Sequence, residues 1–288
     1  MTRIKTLPEP SGINQMSLRR LQSPNQLVGL TCLGEELFVL RQRDADQVQV
    51  YSIEVAEDIA PLRQFSVSGL DTNDSNDMTS CVRSRCLFIS DYSNGCIHKS
   101  ASNGDSMAKW PVPGSPGGLS LTPANNLLVM CHHSCVNRKL LELSSDSGEC
   151  VRQVELQSDI VTPLHAVQLT NRLYVVLRAV EGLFVNLGVQ IVSHLCVVDA
   201  HGQISQSYKR SSGSEDTQLS RPCHMTTDAN DFIFVADRDY CGVVLLSPRL
   251  EFVRHVKLER EPWRLYLDGA TRHLYVGYVD GVVDIIQV

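Results

Sequence analysis

The feature of this sequence that most constrains its fold is a unit of about 47 residues that recurs six times. Each unit has a small or polar residue with an apolar pair, a short polar turn, a strand of the Leu-aromatic-Val type, a polar loop and a second apolar strand. The central residues of the Leu-aromatic-Val strands are Phe38, Phe88, Leu128, Tyr174, Phe234 and Tyr275, which lie 50, 40, 46, 60 and 41 residues apart. This period is typical of the four-stranded blades of β-propellers.

We therefore predict an all-β fold, a six-bladed β-propeller of four-stranded antiparallel blades formed by residues 1–288 as a single domain. In each blade, strands A, B, C and D follow one another from the centre of the ring outwards. The sixth unit stops at Val288 after its C strand and needs an outer strand. We expect residues 3–7, which are followed by Pro8, to supply it, because closing the ring leaves no long edge unpaired.

The composition supports a folded, β-rich chain and excludes binding by bulk charge. Apolar residues make up 43% of the chain and charged residues 20%, so a sizeable core can be buried. The net charge is −6 and no basic tail exists, which argues against nonspecific electrostatic binding to nucleic acid or to an anionic membrane. The longest apolar tract, 173–192, contains Arg178, Glu181 and Asn186, which a bilayer core would penalise. We expect a monomer that does not enter membranes.

Most of the ten cysteines are expected to be reduced. The N-terminus lacks the apolar stretch of a signal peptide, which predicts a cytoplasmic protein. Cys32, Cys81 and Cys196 occupy strand-like positions, where a free thiol behaves as a small apolar side chain.

Two of the units carry a more specific pattern. Phe-Val-Ala-Asp at 234–237 is followed by Arg-Asp-Tyr-Cys-Gly-Val, and Phe-Ile-Ser-Asp at 88–91 by Tyr-Ser-Asn-Gly-Cys-Ile. This pattern resembles the NHL-repeat six-bladed propellers, and the resemblance covers essentially the whole chain. The sequence departs from the family at Cys96 and Gly242, where arginine is usual, and four units lack the aspartate. The resemblance implies a platform for protein or single-stranded RNA, and in a minority of members, such as the peptidylglycine-amidating lyases, an enzyme.

Strand direction predicts where a binding site would lie. Because neighbouring strands of a blade are antiparallel, the start of strand A and the loop between B and C lie at the same end of the propeller. The start of strand A is also nearest the central channel. The residues at these positions are Gly29, Asp77, Gly118, His165, His224 and Arg264.

Two sets of residues could hold a metal ion. His165, His224 and Asp77 offer nitrogen and oxygen ligands at the channel mouth for zinc or calcium, and the amidating lyases hold a metal with histidines at comparable strand openings. The same side chains could equally hydrogen-bond neighbouring carbonyl groups. The second set is the loop from Cys131 to Cys135, a Cys-x3-Cys pattern that also contains His132 and His133. Cys131 stands where two other units have an aspartate, so substitution at that position explains the cysteine equally well.

The other loops at this end would form the rim of a binding face. They offer Arg and Tyr, which are frequent in interface hot spots, and charged neighbours: Arg41, Arg43, Asp44, Tyr92, Arg178, Arg238, Asp239, Tyr240 and Tyr278. In the fourth unit the B–C connection, 178–188, is longer and more apolar, which predicts an extended hairpin with partner contact at its tip.

These observations favour a non-catalytic interaction module that binds a protein or peptide through this face and needs no cofactor. The first alternative is a metal-assisted lyase or hydrolase at the channel mouth. The second is single-stranded RNA binding, since arginines interleaved with aromatic residues can stack unpaired bases. Motifs of serine hydrolases, HExxH metalloproteases, dinucleotide-binding loops, P-loops and EF-hands are absent from the sequence.

Overall fold

A computed structural model describes residues 15–18, 26–42, 47–53, 60–73, 76–133, 137–160, 162–181, 191–208 and 219–288. All regular secondary structure in these residues is β-strand, in six four-stranded antiparallel sheets. No helix that could cross a bilayer is found in the described segments.

Each blade is one sheet whose strands follow chain order from A to D, except the last. The strands of blades one to three are β2 (Leu27–Leu33), β3 (Glu36–Arg41), β4 (Gln47–Ser52), β5 (Arg63–Ser66), β6 (Met78–Cys81), β7 (Cys86–Asp91), β8 (Cys96–Ala101), β9 (Ser106–Pro111), β10 (Ser115–Leu121), β11 (Leu127–His133), β12 (Asn137–Leu143) and β13 (Cys150–Glu155). The strands of blades four to six are β14 (Pro163–Gln168), β15 (Tyr174–Glu181), β16 (Ile191–Val198), β17 (Ile204–Ser207), β18 (Pro222–Thr227), β19 (Ile233–Asp237), β20 (Gly242–Leu246), β21 (Phe252–Lys257), β22 (Pro262–Asp268), β23 (His273–Tyr278), β24 (Val283–Gln287) and β1 (Gln15–Leu18).

The six sheets form a closed ring. The inner strands contact one another in the order β2, β6, β10, β14, β18 and β22, and β22 contacts β2. The predicted six-bladed propeller with four-stranded antiparallel blades is confirmed.

The apolar core is divided among the blade interfaces. Six buried clusters occur, one between each pair of neighbouring blades. Phe38 and Leu87, for example, belong to the cluster between blades one and two. Central strands are buried on both faces, which is why their sequences read as continuous apolar runs such as Leu37-Phe-Val-Leu.

The strand that closes the ring differs from the predicted one. Gln15–Leu18 pairs antiparallel with β24, with Gln15 opposite Ile286 and Leu18 opposite Val283. Closure by an N-terminal strand is therefore confirmed, but the place assigned to residues 3–7 is taken by β1, and residues 3–7 lie outside the described part of the chain. One strand of four residues suffices, because the free edge of β24 has only five residues to pair.

The connection in blade four is an extended hairpin, as expected. β15 and β16 are each eight residues long and stay paired from Tyr174 opposite Val198 to Glu181 opposite Ile191. The tip, 182–190, lies outside the described residues, so partner contact there stays a prediction.

Candidate functional site at the channel mouth

The inner strands begin with a shared irregularity. In blades one, three, four, five and six, the pairing of strand A with strand B shifts register near its start, for example between Pro163 and His165 and between Pro222 and His224. A bulge bends a strand and re-aims a side chain. Proline at the first residue of a strand costs no ladder hydrogen bond, and it directly precedes the bulge in blades four to six.

Four of the predicted residues meet at the centre of the ring, and we call Asp77, His165, His224 and Arg264 the central cluster. Asp77 Oδ2 lies 3.4 Å from His224 Nε2 and 3.7 Å from His165 Nε2. The two imidazole rings lie against each other, with centroids 4.0 Å apart. All four side chains are buried, with at most 8% of the residue surface exposed.

Arg264 contributes the positive charge of this cluster. Its Nε lies 3.5 Å from Asp77 Oδ1 and donates a hydrogen bond to the Val28 carbonyl at 2.8 Å. Its Nη2 donates to the Asn76 carbonyl at 3.2 Å. Arg264 therefore joins blade six to blades one and two.

The remaining hydrogen bonds extend this network to all six blades. The Leu119 N–H of blade three donates to Asp77 Oδ2 at 2.8 Å, and His165 of blade four lies 3.0 Å from the Leu119 carbonyl. The Leu265 N–H of blade six donates to His224 Nδ1 at 3.3 Å. Gly118 permits the close packing, because a Cβ there would lie 2.6 Å from His165 Cδ2.

The electrostatics of the central cluster follow from burial and neighbouring charge. Burial opposes ionisation of Asp77, but its interactions with His224, Arg264 and His165 outweigh burial and lower its pKa. Burial lowers the pKa of His165 to about 3 and also lowers the pKa of His224. At neutral pH the cluster therefore contains one carboxylate, one guanidinium and two neutral imidazoles.

The hydrogen bonds of the two imidazoles determine which nitrogen carries each proton. His165 Nε2 faces a carbonyl oxygen and must carry its proton there. His224 Nδ1 accepts the Leu265 N–H, so its proton lies on Nε2, which faces Asp77. A metal ion bound through both Nε2 atoms would require these protons to move, and it would lie beside the Arg264 guanidinium. The four side chains of the central cluster form a hydrogen-bonded network between blades.

A cavity of about 380 Å³ adjoins the central cluster, and we call it the mouth cavity. Its lining comes from blades two to six: Asn76, Asp77, Tyr92, Gly117, Gly118, His132, Thr162, Leu164, His165, Arg221, Pro222, Cys223, His224, Trp263 and Arg264. One wall is Trp263, whose ring lies 4.7 Å from the Arg264 guanidinium carbon and 4.9 Å from that of Arg238. The lining also includes Tyr92 and His132, whose ring centroids are 5.9 Å apart.

Several lining residues have hydrogen-bonding capacity left over. Within the described part of the chain, Asn76 Oδ1, His165 Nδ1 and Trp263 Nε1 are buried without a hydrogen-bond partner. Such groups are uncommon in folded proteins. Thr162, a β-branched residue, has a φ of 47°, a conformation that such residues rarely adopt. Unpaired polar atoms and local strain occur together at functional sites.

The structure places the predicted rim residues in several different surroundings. Tyr92 lines the mouth cavity, and Arg238 lies next to it, stacked on Trp263. Tyr240 contacts the His255 ring of the outer strand β21. Arg178 donates to the Asp159 carbonyl. Asp239 lies 3.8 Å from Arg221. Arg43 and Asp44 lie outside the described residues.

Two rim assignments need correction. Arg41 and Tyr278 are the last residues of β3 and β23, not loop residues, and each is only 1% exposed. Arg41 donates to the Gly281 carbonyl and Tyr278 to Asp284. The B strands run further than the repeat pattern indicated, which takes both side chains into the interior.

The structure separates two side chains of the Cys131–Cys135 segment. Cys131 lies at 0% exposure in the apolar cluster between blades two and three, and burial raises its pKa to about 12. His132, one residue later, belongs to the mouth cavity instead. Successive strand residues point to opposite faces, so these two side chains are separated. Cys135 lies outside the described residues.

Sequence reasoning missed several residues of the mouth cavity. Trp263 and Arg221 were not predicted, although Trp263 directly precedes the predicted strand opening Arg264 and Arg221 lies three residues before the predicted opening His224. Both residues could have been predicted from the repeat register, because it places the residues on either side of each bulge at the same end of the propeller.

Comparison with known proteins supports the fold. No protein-family profile matches this chain, and no curated protein sequence does. Among solved structures, it is similar to virginiamycin B lyase from Staphylococcus aureus, with 8% identity, a TM-score of 0.63 and coverage of 96% of this chain and 99% of that one.

Two further solved structures are similar to this chain in fold at low sequence identity. A gluconolactonase-like propeller has 14% identity, a TM-score of 0.66 and coverage of 96% and 93% of the two chains. The WD40 propeller domain of Doa1 has 13% identity, a TM-score of 0.59 and coverage of 90% and 78%. These neighbours range from enzymes to an interaction domain, and at such identities the likeness shows the propeller fold and no particular activity.

Proposed function

We propose that this chain is a non-catalytic interaction module that binds a protein or peptide partner at the mouth cavity. The partner presents an acidic side chain next to an apolar one. The observation that carries this proposal is the composition of the cavity wall: the aromatic residues Trp263 and Tyr92 line the same cavity as the half-exposed guanidinium of Arg221. A volume of about 380 Å³ accommodates one or two peptide side chains.

The charge balance of the cavity favours an acidic ligand. Asp77 is matched by Arg264, which leaves the Arg221 guanidinium as the net charge of the lining. Its acidic neighbour, Asp239, is 3.8 Å away, and both side chains are about half exposed. Exposed pairs of this kind are weak, so a ligand carboxylate can displace Asp239.

The state of the central cluster supports binding over catalysis. The buried carboxylate, guanidinium and imidazole groups all take part in hydrogen bonds between blades. The cluster nitrogen that has no partner among the described residues, His165 Nδ1, is a weak general base, because burial lowers the pKa of His165 to about 3. The resemblance of the repeats to NHL propellers, many of which are binding platforms, supports the same function.

The test is selection of binding peptides from a displayed random library with the wild-type chain as bait. We expect enriched peptides that combine an acidic with an aromatic or aliphatic residue. Arg221→Ala and Tyr92→Ala should each weaken binding of the best peptide about tenfold or more, as expected for interface hot spots. Binding should fall only modestly as salt is raised.

The matched control is Arg83→Ala, which removes an exposed arginine from the A–B turn at the opposite end of blade two. It should leave the affinity unchanged. Equal losses in all three variants, or no enrichment of any peptide, would contradict the proposal. Tight, strongly salt-dependent binding of single-stranded RNA would replace it with nucleic-acid recognition. Stoichiometric zinc that is lost in His224→Ala would revive a metal-assisted enzyme.

A further inference from the structure

A second group of candidate ligands lies outside the central cluster, in blade two. Asp91, Cys96 and His98 are buried, with 0%, 2% and 3% of their surfaces exposed. Their ligand atoms all lie within 4.8 Å of one another. None of the three lines the mouth cavity, so they are independent of the site described above.

The hairpin of β7 and β8 brings these residues together. Asp91 and Cys96 are directly opposite each other in the register. Cys96 and His98 are two residues apart in one strand, which places both on the same face. The spacing Asp-x4-Cys-x-His is therefore enough to build the cluster from a single tight turn.

The distances suit a small cation. His98 Nε2 lies 3.0 Å from Asp91 Oδ2 and 3.6 Å from Cys96 Sγ. Tetrahedral zinc with ordinary Zn–N, Zn–O and Zn–S bonds separates its ligand atoms by about 3.3–3.6 Å. The Asp91 carboxylate and the Cys96 thiol both converge on this one imidazole nitrogen.

The protons of this group are less constrained than those of the central cluster. Among the described residues, no hydrogen bond holds His98 Nδ1, so the proton can reside there and leave Nε2 as a ligand. Asp91 is oriented by the Asn94 N–H and side-chain amide, at 3.1 and 2.8 Å, and by the Asp71 N–H at 3.3 Å. Outer hydrogen bonds of this kind fix a ligating carboxylate.

The sister hairpin of blade five shows that this arrangement is not needed for folding. Asp237 occupies the position of Asp91, but Gly242 and Val244 stand in place of Cys96 and His98. Asp237 is satisfied by backbone N–H groups, at 2.6 Å from Ser220 and 2.8 Å from Arg221. Cysteine and histidine were therefore not required to satisfy the aspartate.

We propose that Asp91, Cys96 and His98 bind a zinc ion, with a water molecule as fourth ligand. Thiolate and imidazole ligands select zinc over magnesium or calcium. The carboxylate and thiolate together balance the charge of the dication, and the ion takes the place of the Lys109 ammonium that lies beside the Cys96 sulfur. Tyr92 follows Asp91 directly, so the ion would fix the hairpin that carries one wall of the mouth cavity.

Cobalt(II) substitution tests this site, because a thiolate ligand gives cobalt an intense near-ultraviolet charge-transfer band. We expect one equivalent of cobalt to produce this band in protein purified without a histidine tag, and zinc to abolish it. Cys96→Ser should remove the band. His98→Val, which installs the residue of the sister hairpin, should weaken cobalt binding at least tenfold while the circular dichroism spectrum stays unchanged.

Two controls distinguish other sites. The central cluster contains no cysteine, so cobalt bound there gives no thiolate band, and Cys131→Ser should leave the band intact. Zinc should also raise the melting temperature of the wild type but not that of His98→Val. Absence of the band at stoichiometric cobalt, or its persistence in Cys96→Ser, would overturn the proposal and leave the group as a hydrogen-bonded turn.

Discussion

At the scale of single residues, the central cluster differs from the ion pairs on the surface because its members are buried. Asp77 and Arg264 are 3% and 8% exposed, whereas Glu261, which pairs with Arg238, is half exposed. Removing one partner of a buried pair leaves an uncompensated charge, which costs far more than loss of an exposed pair.

This difference gives a double-mutant prediction. Asp77→Ala and Arg264→Met should each lower the free energy of unfolding by about 3–5 kcal/mol in urea denaturation. The double variant should lose about 1–3 kcal/mol less than the sum, because neither charge is then left unpaired. Glu261→Gln should change stability by less than about 1 kcal/mol. Strict additivity of the two buried substitutions would show that Asp77 and Arg264 act independently.

The histidines predict how stability depends on pH. The unfolded chain binds protons at both imidazoles below a pH of about 6.5, whereas burial lowers the folded-state pKa of His165 to about 3 and also that of His224. Since the unfolded state binds more protons in this range, stability should fall on acidification from about pH 6.5 towards 3. The slope should reach at most about 1.4 kcal/mol per pH unit for each histidine.

The lowered pKa of Asp77 acts in the same direction below about pH 4. Measured by denaturation at a series of pH values, the slope above pH 4 should be smaller in His165→Gln and in His224→Gln. A slope that neither substitution changes would place the titrating groups elsewhere.

The residues of the central cluster could be predicted because strand direction alone determines which end of a blade a residue occupies. Asp77, His165, His224 and Arg264 all follow from that rule. The rule does not say how far a strand continues, so Arg41 and Tyr278 were assigned to loops although they are buried in strands. Proton positions, which decide whether the histidines suit a metal, depend on backbone groups of other blades and cannot be predicted from sequence.

At the scale of strands, the repeat pattern predicted the inner three strands of every blade because those strands are buried on both faces. The outer strands have weaker patterns, since one face is in solvent. The closing strand is the extreme case: residues 3–7 and β1 both contain two apolar residues, and only pairing with β24 distinguishes them.

Two truncations test this assignment. Deleting residues 1–14 keeps β1 and should leave the denaturation midpoint nearly unchanged. Deleting residues 1–18 exposes the edge of β24 and should lower the midpoint and increase self-association on size-exclusion chromatography, because an open edge can pair with another chain. Equal effects of the two deletions would assign closure to residues before β1.

At the scale of the whole molecule, the ring is held by two kinds of contact. Six apolar clusters join neighbouring blades side by side, and the central cluster joins all six at the axis. The mouth cavity lies directly against this rigid centre. Loops mounted on such a scaffold are suited to recognition, because little order has to be gained on binding.

The central claim is that a partner binds where strands A begin, and hydrogen–deuterium exchange with the selected peptide tests it most directly. We predict slower exchange at 162–165, 220–224 and 262–264, which flank the mouth cavity, and no change at the A–B turns 82–85, 228–231 and 269–272. Protection confined to those turns, or to the outer strands, would contradict binding at the mouth cavity.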